Sequence, residues 1–230
     1  GNSWFIGEPV NVFYDFKQGG IWQLDEADLA ADYGQQPGDI RINDVNGRGE
    51  DGELNKQPDG NINSDDRKVL GSTVPSWSGG LTNRFSYKGF DLSVLVHARM
   101  GQMLNSGYHN LGGNNWQGRY NAITMDYWTA DNPTNAIPRP NAGEAPLYAS
   151  AVRYFDGSYI KIRNIALGYN FNSGLIKKLG LNSARVYSTV NNAFIFSPYK
   201  TVDPETSNGS VGGGSPLTTA SYIFGINLKF

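Results

Sequence analysis

The strongest constraint in this chain is a two-residue rhythm of apolar and polar side chains. In the run from Phe90, the residues Phe90, Leu92, Val94, Val96, Ala98 and Met100 fall on one face, and Asp91, Ser93, Leu95, His97, Arg99 and Gly101 on the other. Successive side chains of a β-strand point to opposite faces, so such a run predicts a strand that is greasy on one side only. The end of the chain repeats it, with Tyr222, Phe224, Ile226, Leu228 and Phe230 set against Ser221, Ile223, Gly225, Asn227 and Lys229. Trp77, Leu81, Phe85 and Tyr87 share a face in a third run, and Ile165, Leu167, Tyr169 and Phe171 in a fourth. Ala184–Phe196 is a weaker fifth, and Val10–Trp22 is expected to be a sixth. Helical spacing is confined to a short candidate at Ser173–Leu179.

The connections between these runs alternate in length. Tyr87-Lys88-Gly89-Phe90 reads as a tight hairpin, with glycine free to take positive φ, and Asn172–Ser183 is a modest link. Segments 23–75, 102–154 and 197–219 are long. Long loops are unusual in compact domains. Short turns at one end and long loops at the other are the layout of an outer-membrane β-barrel, although a soluble β-sandwich shows the same one-sided alternation. Aromatics near strand ends (Trp77, Tyr87, Tyr169, Phe171, Phe230) suit a membrane–water boundary and favour the barrel. The expected fold class is all-β: an antiparallel transmembrane β-barrel segment with long extracellular loops.

Composition narrows the function. A net charge of −2 gives no Lys/Arg excess for nucleic acid. The absence of cysteine removes disulfides, thiolate metal sites and cysteine nucleophiles. The two histidines, His97 and His109, leave little for a zinc site or a catalytic triad. No apolar stretch is long enough for a transmembrane helix. The opening Gly1-Asn2-Ser3-Trp4, with neither an initiator Met nor a leader, reads as part of something longer.

The densest set of oxygen donors lies in 37–71. The calcium-loop template wants donors at positions 1, 3, 5, 7, 9 and 12 around a glycine at 6. With Gly60 at position 6, Asp59, Asn61, Asn63 and Asp66 fall on 5, 7, 9 and 12. Contiguous numbering then places Asn55 and Gln57 at 1 and 3, whereas Asp44 and Asn46 serve better if 48–58 is looped out as an insertion. The calcium ligands so expected are Asp44, Asn46, Asp59, Asn61, Asn63 and Asp66. The alternative is a solvated turn closed by Asx side chains.

A set of ordered motifs carries a family resemblance: Gly38-Asp39-Ile40, Asp44-Val45-Asn46-Gly47, Asp59-Gly60-Asn61-Ile62-Asn63-Ser64-Asp65-Asp66-Arg67, Leu70-Gly71, Pro75 and Phe85–Leu92. Ser158–Asn164, Leu167-Gly168-Tyr169, Arg185-Val186-Tyr187, Asn191-Asn192, Asp203-Pro204-Glu205 and the final Phe230 continue it. Together they resemble the C-terminal barrel region of SusC/RagA-like TonB-dependent transporters, with 48–58 as the main departure. The resemblance implies the last five or six strands of a 22-stranded barrel, incomplete alone, with 23–75, 102–154 and 197–219 as extracellular loops. It further implies a plug domain, a SusD-like surface lipoprotein as lid, a TonB contact through a segment not present here, outer-membrane lipid around the wall, and Phe230 as an assembly signal.

The function so implied is energy-coupled import of an oligomeric nutrient, glycan or peptide, with no catalysis by this segment. Expected substrate contacts are the loop residues Tyr108, His109, Asn110, Asn114, Asn115, Trp116, Arg119, Tyr120, Tyr127 and Trp128, since rings stack on sugars and amides bond hydroxyls or peptide groups. The alternative is that they pack the loop on itself or on the lid. Arg84, His97 and Arg99 are expected to face the lumen. A competing reading is a soluble β-rich carbohydrate-binding or adhesion module with a calcium-stapled loop, which would fold in water without detergent. A glycoside hydrolase lacks an obvious carboxylate pair at any strand end.

Overall fold

The computed structural model describes residues 4–111, 124–141, 145–178, 180–205, 208–212 and 218–230. Its strands, in chain order, are β1 (Val12–Asp15), β2 (Gln18–Ile21), β3 (Ile40–Ile42), β4 (Lys68–Ser72), β5 (Trp77–Tyr87), β6 (Phe90–Met100), β7 (Met103–Ser106), β8 (Tyr154–Asp156), β9 (Tyr159–Asn170), β10 (Ser183–Phe196), β11 (Ser210–Val211) and β12 (Ser221–Lys229). Two short helices, α1 (Ala27–Asp32) and α2 (Ser173–Lys177), accompany them, the second starting within the helical candidate at 173–179. No helix among the described residues is long and apolar enough to cross a membrane, which says nothing of strands. The chain divides into two compact units, Gly1–Val74 with Met103–Phe155 and Ser207–Ser215, and Pro75–Gln102 with Asp156–Thr206 and Pro216–Phe230.

The second unit is one five-stranded sheet in the order β12-β10-β9-β6-β5, with every neighbouring pair antiparallel. Strands β5, β6, β9, β10 and β12 are 11, 11, 12, 14 and 9 residues long. About 9–11 residues cross a bilayer when tilted, so these lengths fit spanning strands. The β5–β6 hairpin turns through Lys88 at φ 46° and Gly89 at φ 90°. Two successive left-handed residues form the turn whose twist matches that of the strands it joins. A Cβ on Gly89 would sit 2.8 Å from the Asn170 carbonyl, so glycine is required there for space as well as for φ.

Register decides which face is greasy. Phe85 pairs with Leu92, Leu92 with Leu167, Leu167 with Ser188 and Ser188 with Phe224. One row further, Phe90, Tyr169, Val186 and Ile226 align. Residues paired across strands share a face, so a nearly continuous apolar surface runs over all five strands. In β9 the alternation changes phase: Ile165, Leu167 and Tyr169 are odd-numbered, Ile160 and Ile162 even. Leu95 pairs with Asn164 but Val96 with Ile162, leaving Arg163 as the extra residue of a bulge. That one insertion keeps both halves of β9 apolar on the same side, where an unbroken register would have turned one half inside out.

The first unit is built differently. Here β1 pairs with β4, β2 with β3, and β7 lies between β11 and β8. Its core gathers Phe16, Ile21, Ile40, Ile42, Leu111, Trp128, Ile137, Ala151 and Val152. The buried Trp22 indole donates to Gln35 at 2.7 Å, and the Gln35 amide donates onward to the Ile40 carbonyl at 2.9 Å. This unit corrects one expectation. The Val10–Trp22 run is not a sixth wall strand but splits into β1 and β2, each of 4 residues and paired within this unit. Strands of that length are too short to span hydrocarbon, and Gly20, at φ 130°, interrupts the second. The expected long segments 23–75 and 102–154 therefore contain strands and contribute to a packed core.

Candidate functional site

The acidic loop folds around two carboxylates. Asp66 is fully buried; its Oδ1 accepts the Val45 and Asn46 amides at 2.8 and 3.1 Å, and its Oδ2 accepts the Asn63 amide at 2.9 Å. Asp44 accepts the Asp59 and Gly60 amides at 3.3 and 2.7 Å and the Tyr33 hydroxyl at 3.2 Å. Burial, then the Asp44 charge, holds the Tyr33 phenol above its ordinary pKa, so it remains a donor. The expected insertion does loop out: Arg48 bridges Leu54, and the Asn55 amide donates to the Gly47 carbonyl at 3.1 Å. Arg48 then clamps Asp65 through two bonds of 2.7 and 2.8 Å. The Asp59 carboxylate accepts the Asn61 amide, and the Asn63 side chain accepts the Asp65 amide. The proposed ligands thus converge, but chiefly as acceptors for backbone N–H. Among the described residues no three Asp, Glu or His side chains are grouped to hold a metal ion.

The expected substrate contacts divide three ways. Asn114, Asn115, Trp116, Arg119 and Tyr120 lie outside the described residues. Tyr127 is exposed, Asn110 is exposed, and Tyr108 is half-buried. His109 and Trp128 require correction: both are buried, at 9% and 7% exposure, and belong to the interior of their unit. The His109 Nδ1 lies 2.8 Å from the Ser106 hydroxyl, its ring packs against Phe155, and burial pushes its pKa down. The Trp128 indole donates to Gln23 at 3.0 Å while its ring fills the core. An aromatic in a loop reads as a ligand platform in sequence, yet a segment of this size needs its large rings to build a core of its own.

On the polar face of the five-stranded sheet, a cluster of charges is closed by the Asp203-Pro204-Glu205 segment. The Lys161 side chain, 3% exposed, donates to Asp203 at 2.6 Å and to Glu205 at 2.9 Å. Arg163, the bulge residue, also pairs with Glu205. His97 sits opposite Lys161 in the β6–β9 ladder, with its Nδ1 at 3.4 Å from the Tyr159 hydroxyl. Nearer the hairpin end, Arg185 pairs with Asp91 at 2.5 Å. Register also puts Arg84, opposite Ser93, on this same face with His97 and Arg99.

No family model matches the chain. It is 32% identical over 240 residues to TonB-dependent receptor P26 of Formosa agariphila, covering 98% of this chain and 23% of that protein. TonB-dependent receptor P3 of the same organism is 28% identical over 97% of this chain and 22% of its own length. TonB-dependent receptor SusC of Bacteroides thetaiotaomicron is 27% identical over 77% of this chain and 17% of its own length. The backbone also superposes on the RagAB peptide importer in its open-open state, with a TM-score of 0.67 at 21% identity, over 99% of this chain and 23% of that one. This chain is a barrel segment of a SusC-like TonB-dependent receptor. It spans less than a quarter of the length of these relatives.

In this SusC-like wall, the residues that sequence reasoning did not assign a role are Lys161, Arg163, Asp203 and Glu205. All four lie in the motifs that carry the resemblance. A usable signal existed in Tyr159-Ile160-Lys161-Ile162-Arg163: two cations alternating with isoleucines imply a charged face opposite the greasy one, and buried cations require partners. What sequence could not supply was the partner, some 40 residues further along the chain.

Proposed function

We propose that this segment forms part of the wall and the extracellular loops of a TonB-dependent importer of an oligomeric nutrient, glycan or peptide, in the bacterial outer membrane. The observation that carries the reading is the apolar face of the five-stranded sheet, on which Phe224 and Ile226 are 77% and 68% exposed. A water-soluble module would cover such a face with a second layer. No second sheet covers it among the described residues, and the sheet ends in two open edges, β5 and β12. Unpaired edges in hydrocarbon cost several kcal/mol per group, so the wall needs further strands of its own barrel, with a plug inside. The relatives' names print a dependence on TonB, which supports a TonB complex acting through a segment elsewhere, and the likeness to SusC and RagAB supports a SusD-like lipoprotein over the mouth. RagAB is named a peptide importer, but at 21% identity it speaks for the fold alone, and the receptors' names print no cargo. In this reading the Lys88-Gly89 turn is periplasmic, the long segments are extracellular, and Tyr108, Asn110 and Tyr127 meet cargo or lid.

The test is uptake by cells carrying the full-length receptor, with TonB present or deleted, offered fluorescent oligosaccharide and peptide mixtures. Uptake that depends on both receptor and TonB is the expected result. A receptor recovered from the aqueous fraction, folded without detergent, would favour the adhesion-module alternative.

Calcium belongs to the same proposal. A carboxylate offers about four lone-pair sites, so Asp44 and Asp66 can hold their backbone amides and still face a cation with Asn46, Asp59, Asn61 and Asn63 contributing. Titration of the full-length receptor with calcium should show a dissociation constant of about 10⁻⁴–10⁻³ M, the range of extracellular sites. It should be lost in Asp44→Asn. No heat of binding would leave the loop held by its Asx turns alone.

A further inference from the structure

The apolar face of the five-stranded sheet carries a trench. Across β10, register sets Val186, Ser188 and Val190 between Tyr169, Leu167 and Ile165 of β9 on one side and Ile226, Phe224 and Tyr222 of β12 on the other. A row of smaller side chains therefore lies between two rows of larger ones. Val186 and Ser188 are half-buried, whereas Leu167 and Phe224 beside them are exposed. Toward the Lys88-Gly89 hairpin the trench deepens into a cavity of about 300 Å³, lined by Phe90, Leu167, Tyr169, Val186, Ser188 and Phe224.

Length and charge together select an occupant. From Ala184, opposite Leu228, to Val190, opposite Tyr222, the trench runs about 20 Å at roughly 3.4 Å per residue. One leaflet of a bilayer core is about 15 Å thick, or about 21 Å along a strand tilted by about 45°. A single acyl chain reaching from headgroup to midplane has that length. The charge lies at the hairpin end. The Lys88 ammonium stands 5.1 Å from the centre of the Tyr87 ring. Tyr87 is on the apolar face, paired with Phe90, whose ring packs on Tyr169 at 4.5 Å in the trench wall. That ammonium is thus on the apolar side of the sheet, beside the trench. The other connection at this end, 171–182, adds the exposed Lys177 and Lys178 and has no acidic residue. Asp91, the acid nearest the turn in sequence, faces the opposite side and pairs with Arg185.

We propose that the trench seats one anionic phospholipid, with an acyl chain along β10 and its phosphate held by Lys88 in the field of Lys177 and Lys178. Lysines beside a membrane surface attract anionic headgroups. A zwitterionic lipid fills the trench equally well but brings a cation of its own toward the lysines. The proposal rests on the reading that this face meets a membrane, and adds one preferred lipid in the leaflet on the hairpin side.

The experiment is native mass spectrometry of the full-length receptor in detergent, titrated with dioleoyl phosphatidylglycerol and, separately, dioleoyl phosphatidylcholine. The two lipids share their chains and differ in headgroup charge. One phosphatidylglycerol should be held about fivefold or more tighter than phosphatidylcholine. Ser188→Phe, which fills the trench, should weaken both lipids by about tenfold, since several methylenes lose their seat. Lys88→Gln should weaken phosphatidylglycerol by about fivefold and leave phosphatidylcholine unchanged, and Lys88→Arg should retain the preference. Asn83→Phe, an equally large ring on the same face but outside the trench, should change neither. Equal binding of the two lipids, no effect of Ser188→Phe, the same effect from Asn83→Phe, or an unaffected Lys88→Gln would each overturn the proposal. A receptor that folds in water without detergent sinks the membrane reading itself, whereas one that needs detergent and shows no lipid preference sinks this proposal alone.

Discussion

In the unit with the acidic loop, Ile21, Ile40 and Leu111 are completely hidden from solvent, while in the five-stranded unit Phe85, Phe224, Ile226 and Leu228 stand exposed. Similar side chains follow opposite rules within one chain. The first unit gathers an apolar core inside and closes its polar loops with Asx side chains. The second puts them outside and gathers its charges, Lys161, Arg163, Asp203 and Glu205, on the opposite face. On the proposed importer reading the difference teaches that two solvents shaped this sequence, water around the loops and lipid around the wall.

The comparison breaks most readily at the tryptophan in the loop core. Trp128→Ala should cost the loop unit about 3–5 kcal/mol and open 103–155 to protease, while the wall keeps its β-sheet signal by circular dichroism. Equal loss in both units would mean they do not respond separately. Of comparable size is Lys161→Met, because removing one member of a buried ion pair leaves the others uncompensated, at about 3–5 kcal/mol. The urea midpoint of the full-length barrel should fall. A rise would mean that desolvating the cluster costs more than its pairing returns.

A third substitution sharpens the assignment of faces. Val94→Lys, mid-strand on the apolar face, should destabilise the barrel in lipid vesicles by about 2–4 kcal/mol. Ser93→Lys, one residue away on the polar face, should be tolerated far better. Equal penalties would place both faces in the same environment. The smallest effect concerns His109. Burial lowers its pKa, so the unfolded chain binds the proton more readily than the folded one. Its stabilising contribution is whole above the unfolded value of about 6.5 and is lost as pH falls through the lowered folded value. The urea midpoint of the loop unit, followed by tryptophan fluorescence, should drop between pH 7.5 and pH 5.5, and His109→Gln should flatten that drop.

The wall was readable because its pattern is local. Alternation in 77–87, 90–100 and 221–229 marks strands whatever they pair with, and Lys88-Gly89 marks its own turn. The loop unit was not, because its pairings join distant segments: β1 with β4 across the whole acidic loop, and Trp128 with Gln23. Short runs such as Val12–Asp15 look like fragments of wall until their partners are seen. The same holds for the site. The convergence of Asp44 with Asp59 and Gly60 followed from treating 48–58 as an insertion, whereas the burial of His109 and Trp128 depended on contacts that no spacing encodes.

By itself, the sequence determined which segments are the strands of the five-stranded wall, which of their faces is apolar and where the tight hairpin lies, since these depend on a residue and its near neighbours. Tertiary structure decided that β9 bulges at Arg163 to keep its greasy face in phase, that Val10–Trp22 belongs to the loops, and that Lys161 meets Asp203 and Glu205. Each of those depends on a partner strand or loop far away in the chain, and only folding brings it near.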